Sequence, residues 1–464
     1  MDMSFWFEQL RPLVEGRRVL VKNEVVAASV PTVQAVRALG ATEVLVVATN
    51  GAGTGPLPDE TEARWVSLDV PFEGNMVASI HAGNAAIADP PPWLLDEIDR
   101  FDPDLTALVL SDFLNESPSL AGRPFLAHRR PEWLALDDKT VVDALWDRCG
   151  ISRSPSVVVP ATVEAVEDVW PRFDRGDGVV LSIDATEGWT GGASGVRWVA
   201  EPDGIAAALA EWSGSGRGRH VRVMPFLEGI PCSIHGIVFA DEVVALRPVE
   251  MMVLRTTEQS FFYAGCASFW DPPERDREAM RSTARAVGAQ LRSEVAYRGA
   301  FTIDGVLTID GFRPTELNPR NGAGLGTMAR AVELPMQLLL DAVVGGVDAE
   351  WRPGDLERLL LDTFDEHRAG GTWRALEGQM EPVTDASFVA TADGLRPAAP
   401  EEPGDLTMSI GPSPHGSFVR TMFDRGRTPV GPSVAPLAAS VWSHVDGAYA
   451  LGIGPLEAAR DVRV

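Results

Sequence analysis

The chain has 464 residues, 45% hydrophobic and 23% charged, with a net charge of -26. That length allows about two to four domains of ordinary globular composition. The negative balance excludes a general binder of nucleic acid or of anionic membrane, yet it leaves room for a nucleotide held by a few local cations.

The start, M-D-M-S-F-W-F-E-Q-L-R-P, carries acids and no long apolar core, so no secretory leader is expected. No run reaches the ~20 apolar residues of a spanning helix. Cys149, Cys232 and Cys266 are scattered and odd in number, which predicts neither a disulfide framework nor a zinc site and fits the cytoplasm. Lys22 and Lys139 are the only lysines among 40 basic residues, so each invites a question in a chain that otherwise uses arginine.

Residues 1–135 read as an α/β domain. The apolar runs 18–21 and 43–47 predict buried parallel strands, with a helix between them in P-T-V-Q-A-V-R-A-L-G. Runs 65–68 and 105–110 predict further strands, and the alternation predicts a Rossmann-like wrap. G-A-G-T-G from Gly51 runs into Pro56 and Pro58 and reads as a loop. Lys22, in V-L-V-K-N-E-V-V, is expected at a strand edge.

In A-L-D-D-K-T-V-V-D-A-L-W-D-R-C-G, Asp137 or Asp138 can cap a helix that Gly150 ends. Lys139 then falls in the first turn, where the helix dipole and the ammonium both favour an anion; a surface lysine is the plainer alternative.

Residues 151–225 read as a small α/β unit with strands at 156–159 and 179–183. Between strands, T-E-G-W-T-G-G-A-S-G carries Gly188, Gly191 and Gly192 and reads as a lid loop whose N–H groups can cover phosphates, or as a plain hairpin tip. A following strand breaks at Pro225, so Met224, Pro225, Phe226 and Leu227 read as a hinge able to present backbone to an adenine edge. His235 reads as a structural residue of the next strand. Arg247, Glu250, Arg255 and Tyr263 precede the next motif closely in sequence.

A helix from Glu274 to about Tyr297 leads into F-T-I-D-G-V-L-T-I-D-G-F-R-P-T-E-L-N-P-R-N-G. This predicts a hairpin turning at Asp310-Gly311. Glu316 and Asn318, two apart, share a face, and Asp304 can lie across from them. Two carboxylates and an amide oxygen suit Mg²⁺, and Arg320 has the same facing. Beyond it, G-A-G-L-G-T-M-A-R-A opens a helix. Residues from about 350 on are rich in Pro and Gly, with short strands; S-P-H-G-S-F-V-R reads as a structural turn.

In this order the pieces resemble the ATP-grasp superfamily of carboxylate–amine ligases, over residues 1 to about 345. The resemblance implies a pre-ATP-grasp Rossmann-like domain (1–135), a lid subdomain (136–225), a catalytic α+β subdomain (226–348) and an appended C-terminal α/β domain (349–464). It implies ATP and Mg²⁺, with Lys139 and the lid glycines on phosphates and Met224, Pro225, Phe226 and Leu227 at adenine. It also implies Asp304, Glu316 and Asn318 on the metal and Arg320 on the transferring phosphoryl group. The P-T-E-L-N-P-R-N-G-A-G form and the C-terminal segment look most like actinobacterial peptide ligases of the pheganomycin type. That implies a cytoplasmic enzyme of peptide natural-product (antibiotic) biosynthesis, joining a small-molecule carboxylate to an amine or peptide without nucleic-acid or membrane partners, and leaves a homodimer open. The chain departs from the family at Ser182, where a second lysine is usual, so weaker nucleotide binding, replacement by Arg222, Arg247 or Arg255, or a non-catalytic nucleotide-binding regulator all stay open.

Overall fold

The structure, a computed structural model, describes residues 3–463 except 73, 75, 186–193, 214–218, 259 and 393. Gly188, Gly191 and Gly192 therefore lie outside the described residues.

The N-terminal sheet is parallel, ordered Arg64–Ser67, Glu43–Ala48, Arg18–Asn23, Leu108–Ser111. Its strands are apolar on both faces because helices cover both. Val19 and Val21 join Trp6, Leu10 and Val36 on one side, while Leu20 joins Leu94 and Ile98 on the other. Lys22 is not at an edge. Its strand is paired on both sides, and the buried ammonium meets Asp112 at 2.8 Å and Asn84 at 3.4 Å.

A smaller antiparallel sheet follows, ordered Val157–Pro160, His220–Pro225, Val179–Ile183, Val196–Val199. Thr162 caps the helix Val163–Phe173, accepting the Ala165 N–H. That helix and Ile205–Ser213 bury one face of the sheet through Val166, Trp170, Leu209 and Trp212.

The largest sheet runs Gly311–Asn318, Gly299–Thr308, Ile230–Val238, Val249–Thr256, Phe261–Ala267, Gly370–Glu377, Gly416–Phe423, Leu406–Ser413, Val383–Thr391, Gly394–Pro397. The 22-residue helix Glu274–Val295 packs Met280, Ala284, Val287 and Leu291 into the core beneath the hairpin strands. The C-terminal segment does not build a sheet of its own. Its first strand pairs with Phe261–Ala267, and the helix Ala435–Tyr449 sets Trp442 against Phe262. Among the described residues no helix is long and apolar enough to cross a membrane.

Glu250 ties this helix's start to the sheet: it is fully buried and accepts the Val434 N–H at 2.8 Å and the Ser433 hydroxyl. Burial, opposed by those bonds, pushes its carboxyl from 4.5 up to about 7. The folded state therefore binds more protons than the unfolded one between those values, and stability falls as pH rises through that window. Wild type is expected to lose about 3 kcal/mol from pH 4.5 to pH 7 relative to Glu250→Gln. Urea unfolding across that range checks this, and parallel pH profiles for the two proteins would refute it.

Candidate active site

In the hairpin, Thr302 pairs with Asn318 and Asp304 with Glu316; the register then slips, Gly305 opposing Pro314. Thr315 is the extra residue of this bulge, and its hydroxyl donates to the Asp304 carbonyl at 3.2 Å. Pro314 lacks an N–H for the ladder, which is why the bulge falls here. Asp304, Glu316 and Asn318 consequently line one cavity, as does Arg320. The turn sits one residue earlier than the Asp-Gly signal suggests: Thr308 pairs with Gly311 and closes the loop on Ile309 and Asp310. The Thr308 hydroxyl explains the shift, accepting the Asp310 N–H and donating to the Gly311 carbonyl.

The polar groups form one chain. Ser233 donates to Asp304 Oδ1 at 2.5 Å, Asn318 Nδ2 to Asp304 Oδ2 at 2.8 Å, and Arg320 to Asn318 Oδ1 at 2.7 Å. Burial, and then the charge of Glu316, pushes the Asp304 carboxyl up to about 7 against the pull of Ser233, Arg320 and Lys139. Both carboxylates are half-buried and face each other, so positive charge beside them is favoured. Among the described residues no three His, Cys, Asp or Glu side chains gather into a metal cage. Two carboxylates and an amide oxygen are fewer donors than a dedicated all-protein cage supplies.

Lys139 faces this group, its buried ammonium 2.9 Å from Glu316 Oε1. It is not in the first turn of a helix, because the helix begins at Val142. Asp138 caps a tight turn, accepting the N–H and hydroxyl of Thr140, and that turn aims Lys139 inward.

The cavity holds about 310 Å³ and runs from the hairpin to the hinge. Met224, Phe226 and Leu227 line it; Pro225 ends the strand before the hinge without lining the cavity. Phe226 stacks on Trp198 with centroids 4.4 Å apart, Phe261 lies 6.0 Å from Trp198, and the Arg255 guanidinium sits 4.9 Å over Phe226. Glu228 holds Arg255 through two hydrogen bonds of 2.7 and 3.0 Å. Burial alone would raise the Glu228 carboxyl, but Arg255 keeps it below its ordinary value.

Arg247 does not reach the cavity: it pairs with Asp271 at 2.8 Å and with Asp365. Arg222 is fully buried and committed to Asp143 and the Thr315 carbonyl. Ser182 lines the cavity, and of the three arginines only Arg255 lines it as well. Beyond the hairpin the glycines are inside the short helix Ala323–Ala329 or at its cap. A Cβ on Gly322 would lie 2.4 Å from the Thr302 hydroxyl, and one on Gly324 would lie 2.4 Å from His235, so both serve close approach of helix and sheet. His235 is structural: its Nδ1 meets the Thr302 hydroxyl at 2.8 Å, and burial lowers its pKa to about 3.

Sequence reasoning missed Ser233, Glu228, Trp198 and Phe261. Ser233 declares itself only through its register opposite Asp304. Glu228 directly follows the hinge and was legible as an acid there.

A scan of family models and a search of curated proteins find no match to the chain. Solved structures do match. The biotin carboxylase domain of Hydrogenobacter thermophilus 2-oxoglutarate carboxylase, solved with MgADP, ADP and bicarbonate, superposes with TM-score 0.52 at 12% identity, over 88% of this chain and 86% of that one. Campylobacter jejuni biotin carboxylase, solved as a β,γ-ATP complex, gives TM-score 0.51 at 13% identity over 87% and 86%. Rhizobium etli pyruvate carboxylase gives 0.54 at 15% over 92% of this chain and 37% of that much longer one. At such identities the likeness establishes the fold: the chain has the α/β ATP-grasp fold.

Proposed function

We propose that this chain is an ATP-dependent, ADP-forming ligase that joins a carboxylate to an amine through an acyl phosphate. The observation that carries the reading is the single cavity where Asp304, Glu316 and Asn318 meet Lys139 and Arg320 at one end and the hinge at the other. Its cosubstrate is ATP, with adenine against the Phe226 and Leu227 end and the triphosphate toward the hairpin. Asp304, Glu316 and Asn318 would hold Mg²⁺, which neutralises phosphate charge when bound.

The chain's own groups do the rest. Lys139 releases Glu316 and, with Arg320, neutralises charge as a carboxylate oxygen attacks the γ-phosphorus and ADP leaves. The amine nitrogen then displaces phosphate from the acyl carbon, forming C–N, breaking C–O and giving its proton to solvent. Holding both reactants beside Arg320 supplies much of the rate advantage. Arg255, anchored by Glu228 over Phe226, stands at the hinge and would meet the ribose or α-phosphate side. A finer assignment, peptide bond formation in natural-product assembly, belongs to this reading and rests on the P-T-E-L-N-P-R-N-G-A-G resemblance.

ADP release across a panel of carboxylates and amines, with hydroxylamine to trap acyl phosphate, tests the proposal. Carboxylate-dependent ADP and hydroxamate are expected. A second reading, a nucleotide-binding regulator on this scaffold, is favoured by one observation: a neutral Ser182 lines the wall where the family usually has a lysine. ATP binding without turnover on any substrate would select it.

A further inference from the structure

The main cavity has a side that the nucleotide reading does not use, lined by Met251, Val253, Tyr263 and Cys266. Val253 pairs with Tyr263 and Met251 with Cys266, so these four mark the cavity face of the large sheet. The same face continues into the C-terminal strands. Cys266 opposes Gly371, and Trp373, two residues on, shares its facing. The Trp373 ring meets Tyr263 edge-on, with centroids 6.2 Å apart. Trp373 in turn opposes Arg420 in the strand Gly416–Phe423, which puts Arg420 on this face too. Trp442 of the C-terminal helix covers the reverse face at Phe262, whereas Trp373 and Arg420 stay half-buried.

A second arginine reaches the same place from over the sheet. Arg330 ends the short helix Ala323–Ala329 and donates to the Thr327 hydroxyl at 3.2 Å, and that hydroxyl meets the Cys266 thiol at 3.3 Å. Burial, joined by the charge of Arg420, holds the Arg330 guanidinium below its ordinary value against the pull of Cys266. Among the described residues neither arginine has a carboxylate at ion-pair distance, and Arg420 makes no hydrogen bond. Asp385, the acid behind Arg420, is engaged by the Ser409 hydroxyl at 2.7 Å, and Ser409 is the residue opposite Arg420. The unbonded guanidinium nitrogens keep accessible surface. In a chain of net charge -26, two neighbouring arginines without acids suit an anion that is not part of the chain.

We propose that Arg330 and Arg420 form a subsite for a second oxyanion of the substrate, a carboxylate or a phosphate monoester, apart from the carboxylate activated at the hairpin. The inference rests on the ligase reading above and narrows its substrate to a molecule with two anionic groups, its middle passing Tyr263 and Trp373. Guanidinium planes take either oxyanion by paired N–H bonds, so both sources share one chemistry. The C-terminal strands thereby take part in substrate choice.

Calorimetry with glutarate and with phenyl phosphate, each with MgADP present to occupy the nucleotide end, tests the subsite without turnover. Saturable binding of at least one probe is expected. It should weaken about tenfold or more in Arg330→Gln and in Arg420→Gln, and stay within about twofold in Lys139→Met. Binding of phenyl phosphate alone names the anion as phosphate, and binding of glutarate alone names it as carboxylate; either supports the subsite. No saturable binding of either probe overturns the proposal, as does a loss no greater in the arginine variants than in Lys139→Met. Removing one of two like charges relieves repulsion, so Arg420→Gln should unfold in urea at the wild-type midpoint or above it. A lower midpoint would mark Arg420 as structural and count against the subsite. Hydroxylamine trapping separates the two claims: no hydroxamate from any carboxylate removes the ligase reading, while the titrations still decide the anion subsite.

Discussion

Replacing Glu316 with alanine is expected to lower ADP-forming turnover about a thousandfold, or about 4 kcal/mol of transition-state stabilisation. The loss is double. One of the two carboxylates facing each other across the hairpin disappears, and Lys139, 2.9 Å from Glu316, loses the partner that orients it. Asp304 and Asn318 remain tied to each other at 2.8 Å and offer a weaker donor set. Asp310→Ala, at the exposed turn of the same hairpin, is the control and should stay within about twofold. Steady-state ADP release measures both. Turnover by Glu316→Ala within tenfold of wild type would remove the metal assignment.

The second large effect is on stability. Arg222, in the smaller antiparallel sheet, donates to Asp143 at 2.6 and 2.9 Å and to the Thr315 carbonyl at 3.0 Å. It therefore fastens three elements: its own strand, the helix Val142–Arg148 that follows Lys139, and the bulge of the hairpin. Among the described residues, Arg222→Met leaves Asp143 the longer contact to Arg153, 3.8 Å, and the Ser156 hydroxyl, and it leaves the Thr315 carbonyl without this donor. Removing one partner of a buried pair costs about 3–5 kcal/mol. The variant should show that loss in urea unfolding and a raised KM for ATP, because the bulge sets the facing of Glu316. Adding Asp143→Leu should recover part of the stability, since it removes the stranded charge. A single-variant loss below about 1 kcal/mol would mean the pair is not what joins these elements.

What the sequence made legible follows from local periodicity. Alternation in the strand Gly311–Asn318 put Glu316 and Asn318 on one face, and the apolar runs of the N-terminal strands gave a sheet buried on both sides. The long helix before the hairpin was equally plain, and ends at Ala296 in the left-handed region. What stayed hidden depends on distant partners. The sequence offers Asp137 or Asp138 as a helix cap and so places Lys139 in a helix turn, whereas Asp138 caps a tight turn at Thr140. Lys22 looked like an edge residue because nothing local shows that strands 43–48 and 108–111 flank it. Arg247, close to Arg255 in sequence, points to Asp271 and Asp365, which sequence proximity cannot show. The C-terminal strands looked like a separate unit because pairing across about a hundred residues, Cys266 to Gly371, leaves no local trace.

The central claim is that the hairpin's three oxygen-bearing side chains carry the cation of a bound triphosphate. A crystal grown with a non-hydrolysable ATP analogue and Mn²⁺ tests it most directly, since the anomalous signal locates the metal unambiguously. The account predicts a peak in ligand contact with Asp304, Glu316 and Asn318, with Lys139 swung from Glu316 to a phosphate. A triphosphate bound with its metal elsewhere, or density that leaves Lys139 on Glu316 and these oxygens without a cation, would contradict it.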